Sequence, residues 1–155
     1  MNNPPATYRP ALPSDISTCM AIRGKTRDNP MTVEDLVSFG VTEASWSSAV
    51  QQGQTIGTVY ETDGEIVGYC FGDTQTAEIL VLAVLPEFEG QGVGKTLLRD
   101  VMEKLFQEGH QRLWLAASPD PAVRANGFYR YLGWQPTGEA DIHLDEILVY
   151  EKGAS

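Results

Sequence analysis

Three glycines at alternate positions, Gly90, Gly92 and Gly94, stand between an apolar run and an amphipathic run, and they constrain the fold more than any other segment. Upstream, Ile79 to Leu85 are seven apolar residues closed by Pro86, the pattern of a buried strand. Downstream, Leu97, Leu98, Val101, Met102, Leu105 and Phe106 recur at helical spacing, and Gly109 supplies a stop. A helix N-terminus carries roughly half a positive charge and several unpaired N–H groups, and glycine lets a bulky anion approach that backbone closely. The segment therefore predicts a phosphate cradle.

Two common cradles do not fit. A Walker A loop would match Gly94-Lys95-Thr96 at its end but needs its first glycine at position 89, which is Glu. Gly90 is one residue too close to Gly94. The dinucleotide fingerprint fails too, because its glycines are spaced two and three whereas these are spaced two and two. A plain strand-to-helix turn would need only one or two glycines.

The pattern that fits is a helix-opening x-x-x-G-x-G after a long apolar strand, followed later by Ala125-Asn126-Gly127-Phe128-Tyr129-Arg130-Tyr131-Leu132-Gly133-Trp134. With that second block the sequence resembles the GNAT superfamily of acetyl-CoA-dependent N-acetyltransferases. The resemblance covers the chain from about Thr7 to Lys152 and implies one N-acetyltransferase domain over residues 1–155.

The remaining pattern supplies a scaffold for that fold. Thr7 to Arg9 begin a strand, and Ser14 is placed to cap a helix carrying Ile16, Cys19, Met20 and Ile22 towards Gly24. Thr32 caps a second helix ending at Gly40, and Thr42 caps a third from Trp46 to Val50. Asp63-Gly64 joins strands Thr55–Glu61 and Glu65–Phe71 as a hairpin. Strand Glu78–Leu85, the cradle and its helix follow. Then come a strand over Arg112–Ala117, a short helix over Ala122–Leu132 and two strands within Gln135–Glu151. The expected fold is a mixed α/β sheet of the GNAT type, in the order β-α-α-β-β-β-α-β-α-β-β.

Charge narrows the partners. The 155 residues carry a net charge of −10, which argues against nucleic acid. Residues 91–130 nevertheless net +2, with Lys95, Arg99, Lys104, Arg112, Arg124 and Arg130 as the bases, and the rest nets −12. The positive stretch coincides with the cradle half, and the acidic remainder favours a cationic amine. Lys104 and Arg112 read better as solvated helix-face and strand residues. No run is long enough to span a membrane, Met1 to Pro5 do not resemble a signal peptide, and Cys19 and Cys70 form no close-spaced motif. The expectation is a cytoplasmic protein with reduced thiols and no metal. The sequence leaves the oligomeric state open, a homodimer included.

Acetyl transfer to an amine needs a base, because an alkyl amine has a pKa of about 10 and is protonated near neutral pH. The resemblance implies Glu78, eleven residues before Glu89 at the entry of the apolar strand, where some members carry a catalytic glutamate. Strict alternation would aim it to the face of Leu80, Leu82 and Val84, and a bulge, usual in the family, would change that parity. A strand-end carboxylate in water is the competing reading. Tyr129 is the implied acid for the leaving sulfur, against a reading in which Phe128, Tyr129 and Leu132 are simply core. His143 and His110 read as structural.

The resemblance also implies that the backbone of Leu82, Ala83 and Val84 pairs with the pantetheine arm of acetyl-CoA. The amides from Gly90 through Gln91, Gly92, Val93 and Gly94 to Lys95, with Thr96, hold its pyrophosphate, and Arg124 meets a phosphate of the adenosine end. Two positions depart from the family pattern. Glu89 replaces the usual Arg or Gln, and a carboxylate ~4 Å from a phosphate costs on the order of 4 kcal/mol at an effective dielectric near 20. That is about a thousandfold in affinity, so Glu89 should point away or binding should be weak. Ala122 replaces a frequent asparagine. Arg23, Arg27, Asn29, Trp46 and His143 are acceptor-pocket candidates by location only. Two other readings stay open, a non-catalytic acyl-CoA sensor and a nucleotide-binding domain.

Overall fold

The computed structural model describes residues 6–26 and 30–153. Strand β1 (Thr7–Pro10) leads through a 3-10 turn (Pro13–Asp15) into helices α1 (Ile16–Arg23), α2 (Val33–Ser38) and α3 (Glu43–Gln51). Strands β2 (Thr55–Thr62), β3 (Glu65–Asp73) and β4 (Ile79–Val84) precede helix α4 (Val93–Gln107). Strand β5 (Arg112–Ala117), helix α5 (Arg124–Tyr131) and strands β6 (Gln135–Ala140) and β7 (Glu146–Glu151) complete the chain. The order is the expected one, with the helical segment after β1 divided into three short helices.

Local chemistry explains the boundaries. The Thr32 hydroxyl accepts the Asp35 N–H at 3.1 Å while the Asp35 carboxylate accepts the Thr32 N–H at 3.0 Å. Thr42 and Ser45 repeat this reciprocal cap at the start of α3. The first helix differs from expectation, because Ser14 lies inside the 3-10 turn and Asp15 holds the cap position. Asp15 accepts the Leu12 N–H at 2.7 Å and two bonds from Arg9, and Arg9 also reaches Glu61 at 2.9 Å. A bidentate arginine thereby ties β1 and β2 to the entry of α1. At the hairpin, Asp63 and Gly64 have φ of 54° and 79°, the left-handed pair that a type I′ turn requires.

Strands β1-β2-β3-β4 form one antiparallel sheet and β5-β7-β6 a second. Helices α1 to α3 cover one face of the first sheet, where Ile16, Cys19, Met20 and Leu36 pack on Val59, Tyr69 and Phe71. Helix α4 covers the other with Leu97, Leu98, Val101 and Leu105, in a core that continues through Leu113, Leu115, Trp134 and Leu148 of the second sheet. Lys104 donates to Thr58 Oγ1 at 3.0 Å and pairs with Asp100, so its charge anchors α4 to β2.

Among the described residues the two sheets meet at one parallel bridge, Glu78 with Trp114. The Trp114 N–H reaches Ala77 O at 3.2 Å, and its indole Nε1–H reaches Thr76 O at 3.0 Å. Beyond that joint the strands part. Two residues past the joint, β4 carries a bulge: Ile79 pairs with Gly72 and Val81 with Phe71, so Leu80 has no partner on β3.

Gly57 exposes the tightness of the helical face of the first sheet. A Cβ there would overlap the Phe71 ring and lie 2.9 Å from Cys70 O. Gly57→Ala is expected to destabilise the fold by about 1–3 kcal/mol, the usual range for overpacking, read from the urea midpoint at unchanged slope.

Candidate active site

The parting of β4 and β5 opens a cleft of about 770 Å³, walled by residues 79–84 on one side and 115–118 on the other. Glycines close its far end. Gly90 and Gly92 have φ of 77° and 82°, and a Cβ on either would project into open space. Both conformations favour glycine. Gly92 is the N-cap of α4 and has no side-chain cap, so the first amides of a 15-residue helix point their N–H groups outward without an internal acceptor. Thr96 N–H is already used by Gly92 O at 3.1 Å.

The cleft gathers Leu82, Ala83, Val84, Gly90, Gly92, Val93, Gly94, Lys95, Arg124 and Tyr129 from the residues singled out by sequence. Gln91 and Thr96 stand outside its lining. The Gln91 amide instead donates to Glu87 O at 3.4 Å. Lys95 forms no ion pair among the described residues, whereas Lys104, Arg112, Arg124 and Arg130 each face a carboxylate. Lys95 is thus the cation kept at the cradle.

Glu89 is neutralised from an unexpected direction. Its carboxylate accepts from Arg124 Nη1, joining the loop before α4 to the first residue of α5. The two charges compensate each other: the guanidinium that the resemblance offers to a phosphate balances the carboxylate that would repel one.

Tyr129 lies along the wall of the cleft, buried, with its ring edge-on to Phe128 and Trp134. Its hydroxyl has no hydrogen-bond partner among the described residues. Burial pushes its ionisation well up, so the phenol stays protonated across the physiological range.

Glu78 occupies the joint of the two sheets. The bulge at Leu80 puts Ile79 and Leu82 on the α4 face, and Val81 and Ala83 on the α1–α3 face. Glu78 therefore falls on the face of Val81 and Ala83, not that of Leu82 and Val84. It is half-buried and stands just outside the cleft lining. Burial first, then the charges of Asp73 and Asp141, raise its pKa above the ordinary 4.5.

Asp145 was not legible as a site residue. It enters the cleft from the loop before β7, held by its N–H to Asp141 Oδ1 at 2.9 Å. Burial and Asp141 raise its pKa as well, against a lowering by His143. Its only sequence signal is an acidic loop, a pattern most often just solvated. Of the acceptor candidates, Arg23 and Trp46 line a second cavity beside the bulge, and His143 packs edge-on to Phe39 with ring centroids 6.3 Å apart. Arg27 and Asn29 lie outside the described residues.

A family model described as the Acetyltransferase (GNAT) family matches residues 28–134. The chain belongs to that family. A Bacillus subtilis protein named as a candidate ribosomal protein bS18 alanine N-acetyltransferase is 37% identical over 84 residues, covering 52% of this chain and 54% of that protein. An uncharacterized N-acetyltransferase of Mycobacterium tuberculosis is 32% identical, over 53% and 54% of the two chains. The chain thus spans about half the length of these curated relatives. Among solved structures, the PaiA N-acetyltransferase of Thermoplasma acidophilum in complex with coenzyme A superposes with a TM-score of 0.78 at 17% identity, over 94% of this chain and 98% of that one. The ribosomal-protein-S18-alanine N-acetyltransferase of Escherichia coli gives 0.67 at 18% identity, over 93% and 90%. These likenesses establish the GNAT fold. Among the described residues no helix is long and apolar enough to cross a membrane.

The raised pKa of Glu78 has a stability consequence of definite sign. Its ionised form is disfavoured in the folded chain, so the cost is present above the folded pKa and is relieved as pH falls through it. Glu78→Gln should raise the melting temperature at pH 7 to 8, and the gain should vanish on acidification towards pH 4.5, as followed by paired melts across that window.

Proposed function

We propose that this chain is an acetyl-CoA-dependent N-acetyltransferase that moves an acetyl group to a primary amine by direct transfer in a ternary complex. The observation that carries this reading is the wedge between β4 and β5, with a glycine-lined helix start at one end and on its wall a tyrosine hydroxyl that has no partner among the described residues. In this reading residues 1–155 form one such domain, with its core over about 7–152.

The residues present fit coenzyme A. The amides at Gly92, Val93 and Gly94, with the Lys95 ammonium, suit a pyrophosphate, and side chains are absent where the anion must approach. The outer edge of β4 has no strand partner beyond the Glu78–Trp114 bridge, so its backbone can pair with an extended amide-bearing arm. At roughly 3.3 Å per residue, the strand from Val84 back to Leu80 covers about 13 Å between cradle and bulge. Bound there, acetyl-CoA supplies an activated thioester.

Glu78 takes the proton of the attacking amine, through water since it stands just outside the lining, and burial, by raising its pKa, makes it a stronger base than a free carboxylate. Tyr129 donates its proton to the sulfur as the C–S bond breaks and the C–N bond forms. Asp145 faces the cleft as a carboxylate able to hold the incoming ammonium. A covalent acetyl-cysteine has no support: Cys19 and Cys70 are buried, and burial pushes the Cys19 thiol up to about 12 and Cys70 higher still. The acceptor class is a small cationic amine or a lysine or N-terminal amine. Two similar proteins carry names that specify an alanine of ribosomal protein S18.

Thiol release from acetyl-CoA across a panel of amines tests the reaction. Tyr129→Phe should lower kcat by about 10²-fold or more, the usual scale for a general acid, with acetyl-CoA affinity nearly unchanged. Undiminished turnover would remove Tyr129 from the mechanism. Gly92→Val should abolish acetyl-CoA binding in calorimetry, because a β-branched residue is strained at φ of 82° and crowds the anion. Tight binding by that variant would contradict the cradle.

A further inference from the structure

Beside the cleft, on the α1–α3 face, lies a second cavity of about 400 Å³. Its walls are Met31, Leu36, Phe39, Val41, Trp46 and Phe71, closed below by Leu80 and Val81 of β4. The two cavities share Arg23, Leu80 and Val81, so they join at the bulge that ends the path along β4. A molecule seated in the apolar cavity can therefore extend one end into the cleft.

The wall is aromatic and held in place. Trp46 stands edge-on to Phe71 and Tyr69, with ring centroids 5.1 and 6.1 Å apart, and the Tyr69 hydroxyl is fixed by Cys19 O at 2.8 Å. Ser45, one of the few polar lining residues, spends its hydroxyl on Thr42 in the α3 cap. No carboxylate belongs to the described lining, and its charged member, Arg23, has a partner of its own. A polyamine or aminoglycoside would have to strip water from a second cation against this surface, with no carboxylate of the described lining to offset the loss. Asp145 lies instead in the cleft beyond the junction, and Glu78 stands outside both linings. Exposed Phe39, Ile142 and Leu144 continue the apolar character outward around α2 and the β6–β7 loop, which touch through Phe39 and His143.

Resting on the acetyltransferase reading, the geometry points to a small primary monoamine with an aromatic or branched aliphatic body as the acceptor. The body fills the cavity between Trp46, Phe71 and Val81, and the single nitrogen projects past Leu80 towards the cleft. The volume is at the small end for ligand sites, in keeping with a one-ring or one-branch body. The acidic remainder of the chain thus draws in a cation whose charge is confined to one end.

The experiment compares phenethylamine and isopentylamine with spermidine, kanamycin and a peptide with an N-terminal alanine, by thiol release, with acetyl-CoA binding measured on the same sample. We expect kcat/KM for the apolar amines to exceed that for spermidine at least tenfold. Ala49→Phe, which fills the cavity from α3, should raise KM for phenethylamine at least tenfold and leave acetyl-CoA affinity unchanged. Phe39→Ala, at an exposed rim position, tests the same pocket without disturbing the core and should raise KM two- to fivefold. Equal or better turnover of spermidine, kanamycin or the peptide would overturn this acceptor class and leave the acetyltransferase reading intact. Absence of acetyl-CoA binding would overturn that reading itself, and binding without turnover of any amine would overturn both.

Discussion

The structure depends on how little β4 and β5 are allowed to pair. Trp114 stitches the two sheets with two hydrogen bonds, one from its backbone and one from its indole, to consecutive carbonyls of the Thr76-Ala77 turn. One bridge then suffices to fix the direction of both strands, and their separation leaves a strand edge, a cleft and a core shared beneath. An unpaired edge is ordinarily a hazard for aggregation, and a bulge such as that at Leu80 is one way a sheet blunts it. The cleft, the cradle at its end and the cavity at its start all follow from that parting.

Charge is arranged by pairing more than by total. Arg130 grips Glu146 through one nitrogen at 2.6 Å to both oxygens, and Arg124 is matched to Glu89. Pairs this exposed contribute about 0–1 kcal/mol each to stability, so their value lies in position. With the Lys104–Asp100 and Arg112–Glu151 pairs they match four of the six bases of the positive stretch and leave Lys95 beside the helix start. On the opposite side Asp141 works in reverse. Burial disfavours the charged forms of Glu78 and Asp145, and the charge of Asp141 adds to that effect at both.

Much of this fold was legible because its signals are local. The strand, three glycines and amphipathic helix are contiguous, the Thr32 and Thr42 caps need only a partner three residues away, and Asp63-Gly64 specifies its own turn. The first helix was misjudged by one residue for a non-local reason: Asp15 is held at the cap position by Arg9, and Arg9 by Glu61, a contact across 52 residues. Glu78 and Tyr129 could be named from their setting in the chain. Their environments could not, since the partnerless phenol and the half-buried carboxylate are products of packing.

By itself the sequence determined the elements, their order and the glycine-opened helix, because periodicity, caps and turn chemistry act within a few residues. Tertiary structure alone decided what those elements enclose. The extra residue at Leu80 turns Glu78 away from the face of Leu82 and Val84, Arg124 crosses to Glu89, Asp145 comes into the cleft, and α1 to α3 close an apolar chamber against β3 and β4. Each of these joins residues far apart in the chain through a register shift or a packing fit. Neither leaves a mark on local sequence, because any register that buries the same apolar set satisfies the same pattern until the whole core is assembled.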